Sequence, residues 1–237
     1  MIRTGLATRE GTAKDNADAA KVHVLADGTV GAAVVDGIGH GPRTSATVPL
    51  LAETAARIAA RRGPLAGLLT AGELIADPGP TDEEADAVAV AARVLSGDTG
   101  ATVSWTGDCR AYGWDGTRLT LYTTDHTVGA QLRANGAPWE LAKQHDNWLR
   151  TSLSRATVGT VYTVTMDDPL LILTTDGVHD QVPPRVLETV VRTLETVVRT
   201  LETDPQGLAD ALVAEARGRG SGYRDDATAV VLSTMHV

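Results

Sequence analysis

Four β-type stretches of this chain carry an aspartate at one end. They are Asp36 in VVDGIGHG (Val34 to Gly41), Asp176 in LLILTTDG (Leu170 to Gly177), Asp225-Asp226 in YRDDATAVVL (Tyr223 to Leu232) and Asp108 in WTGDCRAYGWDG (Trp105 to Gly116). A carboxylate beside buried apolar residues is costly unless it is paired or bound to a metal. Arg110 and Arg224 could pair with two of these acids, and no cation flanks Asp36 or Asp176. Converging carboxylates without balancing lysines suit hard divalent ions, Mg²⁺ or Mn²⁺, which prefer oxygen ligands. Thiolate or histidine-rich zinc spacing is missing. For any single acid, an ordinary salt bridge is the plainer explanation.

VVDGIGHG alone has two further readings. A strand, a glycine loop and then a helix from about Arg43 is the local order of a dinucleotide-binding loop. The spacing is wrong, because Gly37, Gly39 and Gly41 make GxGxG and Pro42 stands where a third glycine belongs. Asp36 would also face the pyrophosphate. The other reading is a tight turn whose glycines take positive φ.

The elements that must position these acids are mostly strands. Lys21–Ala26, Val30–Val35, Ala101–Trp105, Arg118–Tyr122, Val161–Thr165, Leu170–Thr174 and Ala227–Leu232 read as β, many of them joined by short ADG, SGD and WDG turns. Links this short hold no helical crossover and imply antiparallel pairing. Helical patterns occupy about Arg43 to Ala76 and Pro184 to Arg217, with a weaker pair at about Val128 to His145. Asp82 to Leu95 reads either as an alanine-rich helix behind a Thr81–Glu84 capping box or as a strand from Ala87. The SGD turn favours the strand, as one arm of a hairpin with ATVSW. Strands in runs with helices segregated from them predict an α+β layered fold. No Pro/Ser-rich linker divides the chain, so residues 1–237 are expected to form a single domain.

Leu187 to Thr193 reads LETVVRT, Leu194 to Thr200 repeats it unchanged, and Leu201 to Thr203 begins a third copy. Leu187, Val190, Val191, Leu194, Val197, Val198 and Leu201 form an apolar stripe at helical spacing. A duplicated helix segment explains this, since seven residues nearly complete two turns. A coiled-coil dimer would need more heptads.

Composition narrows the class. An apolar fraction of 43% with 22% charged residues is that of a globular chain. The net charge of -9 disfavours nucleic acid, which needs a basic surface. A single cysteine, Cys109, excludes an internal disulfide and fits a reducing compartment. The N-terminus lacks a signal-peptide core, and no apolar run approaches spanning length. A soluble, cytoplasmic protein without membrane partners is expected.

VVDGIGHG, GDCRAYGWDG, LTLYTTDHTVGAQL, LLILTTDGVHDQV and GYRDDATAVVL, in this order, resemble the metal-dependent Ser/Thr protein phosphatases of type 2C, in a bacterial-type single-domain form. The resemblance runs from about Gly5 to Leu232. It implies a β-sandwich of two antiparallel sheets flanked by helices (α/β/β/α layers), with metals in the cleft at the strand ends. Carried over by motif, Asp36 would bridge two Mn²⁺ or Mg²⁺ ions, with the Gly37 carbonyl as a further ligand. Asp176 and Asp225 would complete the first ion's shell. Asp108 and Asp180 would hold a third, weaker ion together with Asp176. The implied activity is hydrolysis of phosphoserine or phosphothreonine in phosphorylated proteins by a metal-bridging hydroxide attacking phosphorus in line.

Three departures stand out. AKDNAD (Ala13 to Asp18) keeps Asn16 and Asp18 of the family's N-terminal motif but has Ala17 at a metal-binding acid and Ala13 at the phosphate-binding arginine. Lys14 or Arg9 would then have to meet the phosphate, and water or Asp18 would have to replace the second ion's missing ligand. Ile38 replaces a usual histidine, and His40 stands two residues later, similar to the branch that acts on stress and sporulation regulators. His40 would protonate the leaving oxygen, or is simply a surface histidine at a helix start. The repeated helix is longer than the family usually shows. Ala13 and Ala17 keep open a degenerate domain that binds phosphoproteins without turnover; a nucleotide-binding enzyme is the remoter rival.

Overall fold

A computed structural model describes residues 1–76, 85–198, 204–217 and 222–234. Two five-stranded antiparallel sheets stack face to face, with helices on both outer sides. One sheet has the order β1-β10-β9-β6-β7, from β1 (Arg3–Arg9), β6 (Arg110–Trp114), β7 (Leu119–Leu121), β9 (Leu170–Thr174) and β10 (Ala227–Ser233). The other has the order β2-β3-β4-β5-β8, from β2 (Asp18–Val24), β3 (Val30–Ile38), β4 (Asp86–Val94), β5 (Ala101–Thr106) and β8 (Tyr162–Met166). The α/β/β/α sandwich is therefore the observed fold.

Strand alternation divides the apolar residues among three layers. Val34, Val90 and Val103 face Leu171, Leu173 and Val230 between the sheets. The alternate residues Ala33, Val35, Ala89 and Ala91 turn outward onto α1 (Pro42–Arg62) and α2 (Pro64–Gly72). Leu51, Ala52, Ala55, Ala56 and Ala59 of α1 are buried at helical spacing, and their small size lets that helix lie close to the sheet. On the far side, Ile172, Ala229 and Val231 pack beneath α6 (Pro184–Val198) and α7 (Pro205–Glu215). Leu187 and Val191 of the first LETVVRT copy are buried in that layer. The first copy's stripe thus packs within the chain's own outer layer, against α7 and the sheet beneath it. The side chains of the second copy and the start of the third lie outside the described residues.

The ambiguous run resolves as strand: Asp86–Val94 pairs with Ala101–Thr106 around the Gly97 turn. Thr81–Glu84 lies outside the described residues. β1 and β6 are strands that the residue pattern did not single out, because Arg3–Arg9 alternates weakly and Arg110–Trp114 is short. The Arg43–Ala76 block splits at Gly63-Pro64, and the weaker pair becomes α3 (Val128–Ala134) and α4 (Trp139–Lys143). A four-residue helix, α5 (Asp176–His179), follows β9.

Candidate metal centre

Antiparallel order brings strand starts and strand ends to the same edge of the sandwich. Asp18 opens β2, Asp36 lies near the end of β3, and the two are direct partners in the ladder. Asp176 follows β9, Asp225 and Asp226 precede β10, and Asp108 lies on the link from β5 in one sheet to β6 in the other. That link turns at Gly107, whose φ is +88° and whose missing Cβ would meet Val88 at 2.1 Å. Any side chain there would push Asp108 out of place. Gly177 is equally constrained, since a Cβ would lie 1.7 Å from the Asp226 carbonyl oxygen. The paired Asp-Gly at Asp176-Gly177 therefore permits α5 to start against the β10 lead-in.

Asp18, Asp36, Asp108, Asp176, Asp225 and Asp226 all line one cleft of about 210 Å³. Gly37, His40, Ala17, Asn147 and Leu149 complete much of its wall, and no lysine or arginine is among the described lining residues. Two roomier cavities, about 360 and 430 Å³, flank the Ser96–Asp98 turn and contain no buried carboxylate. Electrostatics within the cleft reflect its one-sided charge. Burial, and then the facing Asp176, Asp18, Asp108 and Asp225, raise the Asp36 carboxyl well above its ordinary range. Asp176 is raised for the same reasons. Burial and Asp125 lift Asp108 to about 6. Asp18 rises to about 7 through burial, opposed by hydrogen bonds from Thr175 and Thr228. Protons or cations must relieve this repulsion.

Several neighbours hold the acids in place. Thr175 Oγ1 donates to Asp18 Oδ2 at 2.8 Å and accepts the Thr228 N–H at 3.1 Å. Asp226 accepts the Gly11 and Ala17 N–H groups at 2.6 and 2.7 Å, tying the loop before β2 to the β10 lead-in. The Gly37 N–H donates to the Ala17 carbonyl at 2.9 Å, so Ala17 is held beside the cleft. Residue pattern did not single out Thr175 or Asp226 for these roles. The DD pair was visible, but only packing separates its buried clamp, Asp226, from the more open Asp225.

Other candidate residues fall differently. His40 stands at the cleft mouth, with Nε2 at 3.2 Å from the Tyr223 hydroxyl and 3.8 Å from Asp225 Oδ1. Asp180 is exposed at the rim and does not line the cleft, although its charge acts on both Asp108 and Asp176. Lys14 is exposed on the loop before β2 and lies outside the cleft lining. Arg9 shares the alternation of Ala7, which packs in the α7 layer, and so points away from the intersheet face. Neither cation lines the cleft. The two arginines that could have neutralised strand-end acids are also engaged elsewhere. Arg110 makes a two-pronged pair with Asp125 at 2.6 and 2.9 Å, and Arg224 donates to the Glu10 carbonyl at 3.3 Å.

Among the described residues, no three His, Cys, Asp or Glu side chains stand close enough together to hold an ion as they are. The donor chemistry nevertheless fits hard divalent cations: six carboxylates, several of them raised, and no competing ammonium or guanidinium among the described residues of the cleft wall.

The profile of Stage II sporulation protein E (SpoIIE) matches residues 26–235, most of the chain and all but Asp18 of the cleft's carboxylates. The chain belongs to the SpoIIE family. This family is of the type 2C phosphatase class, in agreement with the resemblance read from the motifs. No curated protein matches the SpoIIE-family chain. Among solved structures it is similar to the serine/threonine phosphatase Stp1 from Staphylococcus aureus, with a TM-score of 0.79 at 15% identity over 100% of this chain and 96% of that one. It is also similar to the Mycobacterium tuberculosis serine/threonine phosphatase PstP/Ppp, with a TM-score of 0.71 at 21% identity over 99% of both chains. PppA, a regulatory component of T6SS in Pseudomonas aeruginosa, gives 0.73 at 20% identity over 98% of this chain and 97% of that one. At these identities the likeness is one of fold. Among the described residues, no helix of the SpoIIE-family chain is long and apolar enough to cross a membrane.

Proposed function

We propose that this chain is a metal-dependent phosphatase of phosphoserine and phosphothreonine in proteins. The observation that carries the reading is the cleft of six aspartates without a lysine or arginine in its described lining. An acidic cleft repels a phosphate dianion unless cations intervene. Asp36, with the Gly37 carbonyl, Asp176 and Asp225 would hold the principal Mn²⁺ or Mg²⁺ ions, and Asp108 with Asp180 and Asp176 a weaker one. Bound there, the ions would supply Lewis acidity toward water and neutralise the phosphoryl oxygens.

The chain's own residues do the rest. Thr175 orients Asp18 for water or ion contact, and Asp226 fixes the loop that carries Ala17. His40, braced by Tyr223 at the mouth, would give a proton to a leaving serine or threonine oxygen. Substrate charge is met by the ions and not by Lys14. Hydrolysis of p-nitrophenyl phosphate and of a phosphothreonine peptide, each with EDTA and with Mn²⁺, tests the reading. Turnover that survives exhaustive chelation refutes it.

A second reading is a phosphoprotein-binding domain without turnover. The methyl of Ala17 in the cleft wall, where the type 2C resemblance expects an acid, favours it. Peptide binding with no hydrolysis at saturating Mn²⁺ would establish it.

A further inference from the structure

A second, smaller cavity of about 120 Å³ lies beside the metal cleft, lined by His126, Arg150, Thr151, Gly159, Thr160 and Tyr162. Leu149 lines the metal cleft, while the next two residues, Arg150 and Thr151, line this cavity. His126 is clamped to the crossover residue Gly107. Its ring Nδ1 lies 3.3 Å from the Gly107 nitrogen, and its own N–H donates to the Gly107 carbonyl at 2.9 Å. A backbone N–H can only donate, so Nδ1 accepts and the ring proton of the neutral imidazole resides on Nε2.

That Nε2–H is buried and has no hydrogen-bond partner, and the Thr151 Oγ1 is buried and unpartnered as well. Unpaired buried polar groups are uncommon and point to an absent ligand or water. Burial, followed by the Arg150 charge, lowers the His126 pKa to about 4, which keeps the ring neutral and its tautomer defined. No acidic residue is among the described residues that line the cavity, and the adjacent Asp125 is occupied by Arg110. The cavity thus offers an imidazole N–H, a hydroxyl and a guanidinium, with no anion to receive them. Its volume is far below the roughly 300–1,000 Å³ of sites for larger ligands. It suits a single small group.

We propose that this cavity is an oxyanion subsite, taking a carboxylate or a phosphate group against His126 Nε2, Thr151 Oγ1 and the Arg150 guanidinium. Occupancy would be felt at the metal centre, because the Gly107 peptide that grips His126 leads directly into Asp108. The site does not depend on the phosphatase reading, and it is testable without metal.

The test uses the full chain stripped of metal and labelled with ¹⁵N at histidine. Sodium phosphate and sodium acetate are titrated separately, with ionic strength held constant by sodium chloride. The expected result is a saturable shift of the His126 Nε2 resonance with at least one of the two anions. Arg150→Gln should weaken that binding by about tenfold or more, since a charge-assisted contact is lost. Thr151→Val should weaken it less, and Arg150→Lys should restore part of it. Response to phosphate alone identifies a phosphoryl group as the occupant; response to acetate identifies a carboxylate. Arg150 is exposed, so its replacements should fold, and unchanged spectra away from the cavity verify this. A shift that never saturates, or equal affinity in Arg150→Gln, overturns the proposal. The absence of any shift does so too, and leaves water as the partner of both orphaned groups.

Discussion

Asp18 and Asp36 are direct cross-strand partners in the β2–β3 ladder and line the same cleft. Like charges directly opposite one another destabilise a sheet, and both carboxyls are raised by burial and by neighbouring aspartates. Asp36→Asn should therefore stabilise the metal-free protein, with a melting temperature higher by about 2–4 °C for each kcal/mol gained. The same substitution should abolish phosphatase turnover and the rise in melting temperature that Mn²⁺ gives the unaltered protein. Thermal melts with and without Mn²⁺ check both. A lower metal-free melting temperature would mean that the pair is not under repulsion.

Adjacent aspartates should behave in opposite ways. Asp226 is 3% exposed and accepts two backbone N–H groups, whereas Asp225 is more open to the cleft. Asp226→Ala would strand both donors and should cost about 1–3 kcal/mol for each one left unsatisfied. Asp225→Ala should leave metal-free stability nearly unchanged but weaken metal binding. Urea unfolding and Mn²⁺ calorimetry on the two variants separate a clamp from a ligand. Equal loss of stability in both would contradict the division.

Ala17 presents a methyl group at the cleft, held there by its N–H to Asp226 and its carbonyl to Gly37. The resemblance to type 2C phosphatases expects an acid at this place. Adding one, as Ala17→Glu or the shorter Ala17→Asp, should lower the Mn²⁺ concentration needed for half-maximal activity. Divalent ions that lack a protein ligand commonly keep water instead, so activity without the change is still expected. An unchanged metal requirement in both folded variants would place the second ion elsewhere.

His126 should remain neutral well into acid. Its folded pKa of about 4 lies below the ordinary value of 6.5, with burial and Arg150 favouring the neutral ring and Asp125 opposing them. Below pH 6.5 the unfolded chain takes up a proton that the folded ring refuses. This residue's contribution to stability is thus fully present above about 6.5, falls as pH drops toward about 4, and is then level. An NMR titration of the ring reads the midpoint directly. A midpoint near 6 would mean that the imidazole is open to water.

Much of the architecture was legible because local chemistry determines it. Gly28, Gly97 and Gly116 adopt positive φ in the ADG, SGD and WDG turns, and these short turns force antiparallel neighbours. The apolar run Val30–Val35 reads as strand whichever helix covers it, whereas the alanine-rich Asp86–Val94 is decided by the SGD turn that makes it one arm of a hairpin. β1 was not legible, because its place comes from seven ladder partners in β10, more than two hundred residues away in sequence.

The aspartates themselves, and their positions at strand ends, follow from the sequence alone. So do the carboxylate-rich donor chemistry and the motif order that places the chain in its class. Tertiary structure decided which acids share a cleft, because convergence depends on two sheets stacking in one register. It also decided that Arg110 serves Asp125, that Arg9 and Lys14 lie away from the cleft, and that Asp226 is a clamp while Asp225 faces the opening. Those outcomes depend on which side of a strand or loop a side chain leaves and what waits there. That is a property of packed neighbours, to which spacing along the chain is blind.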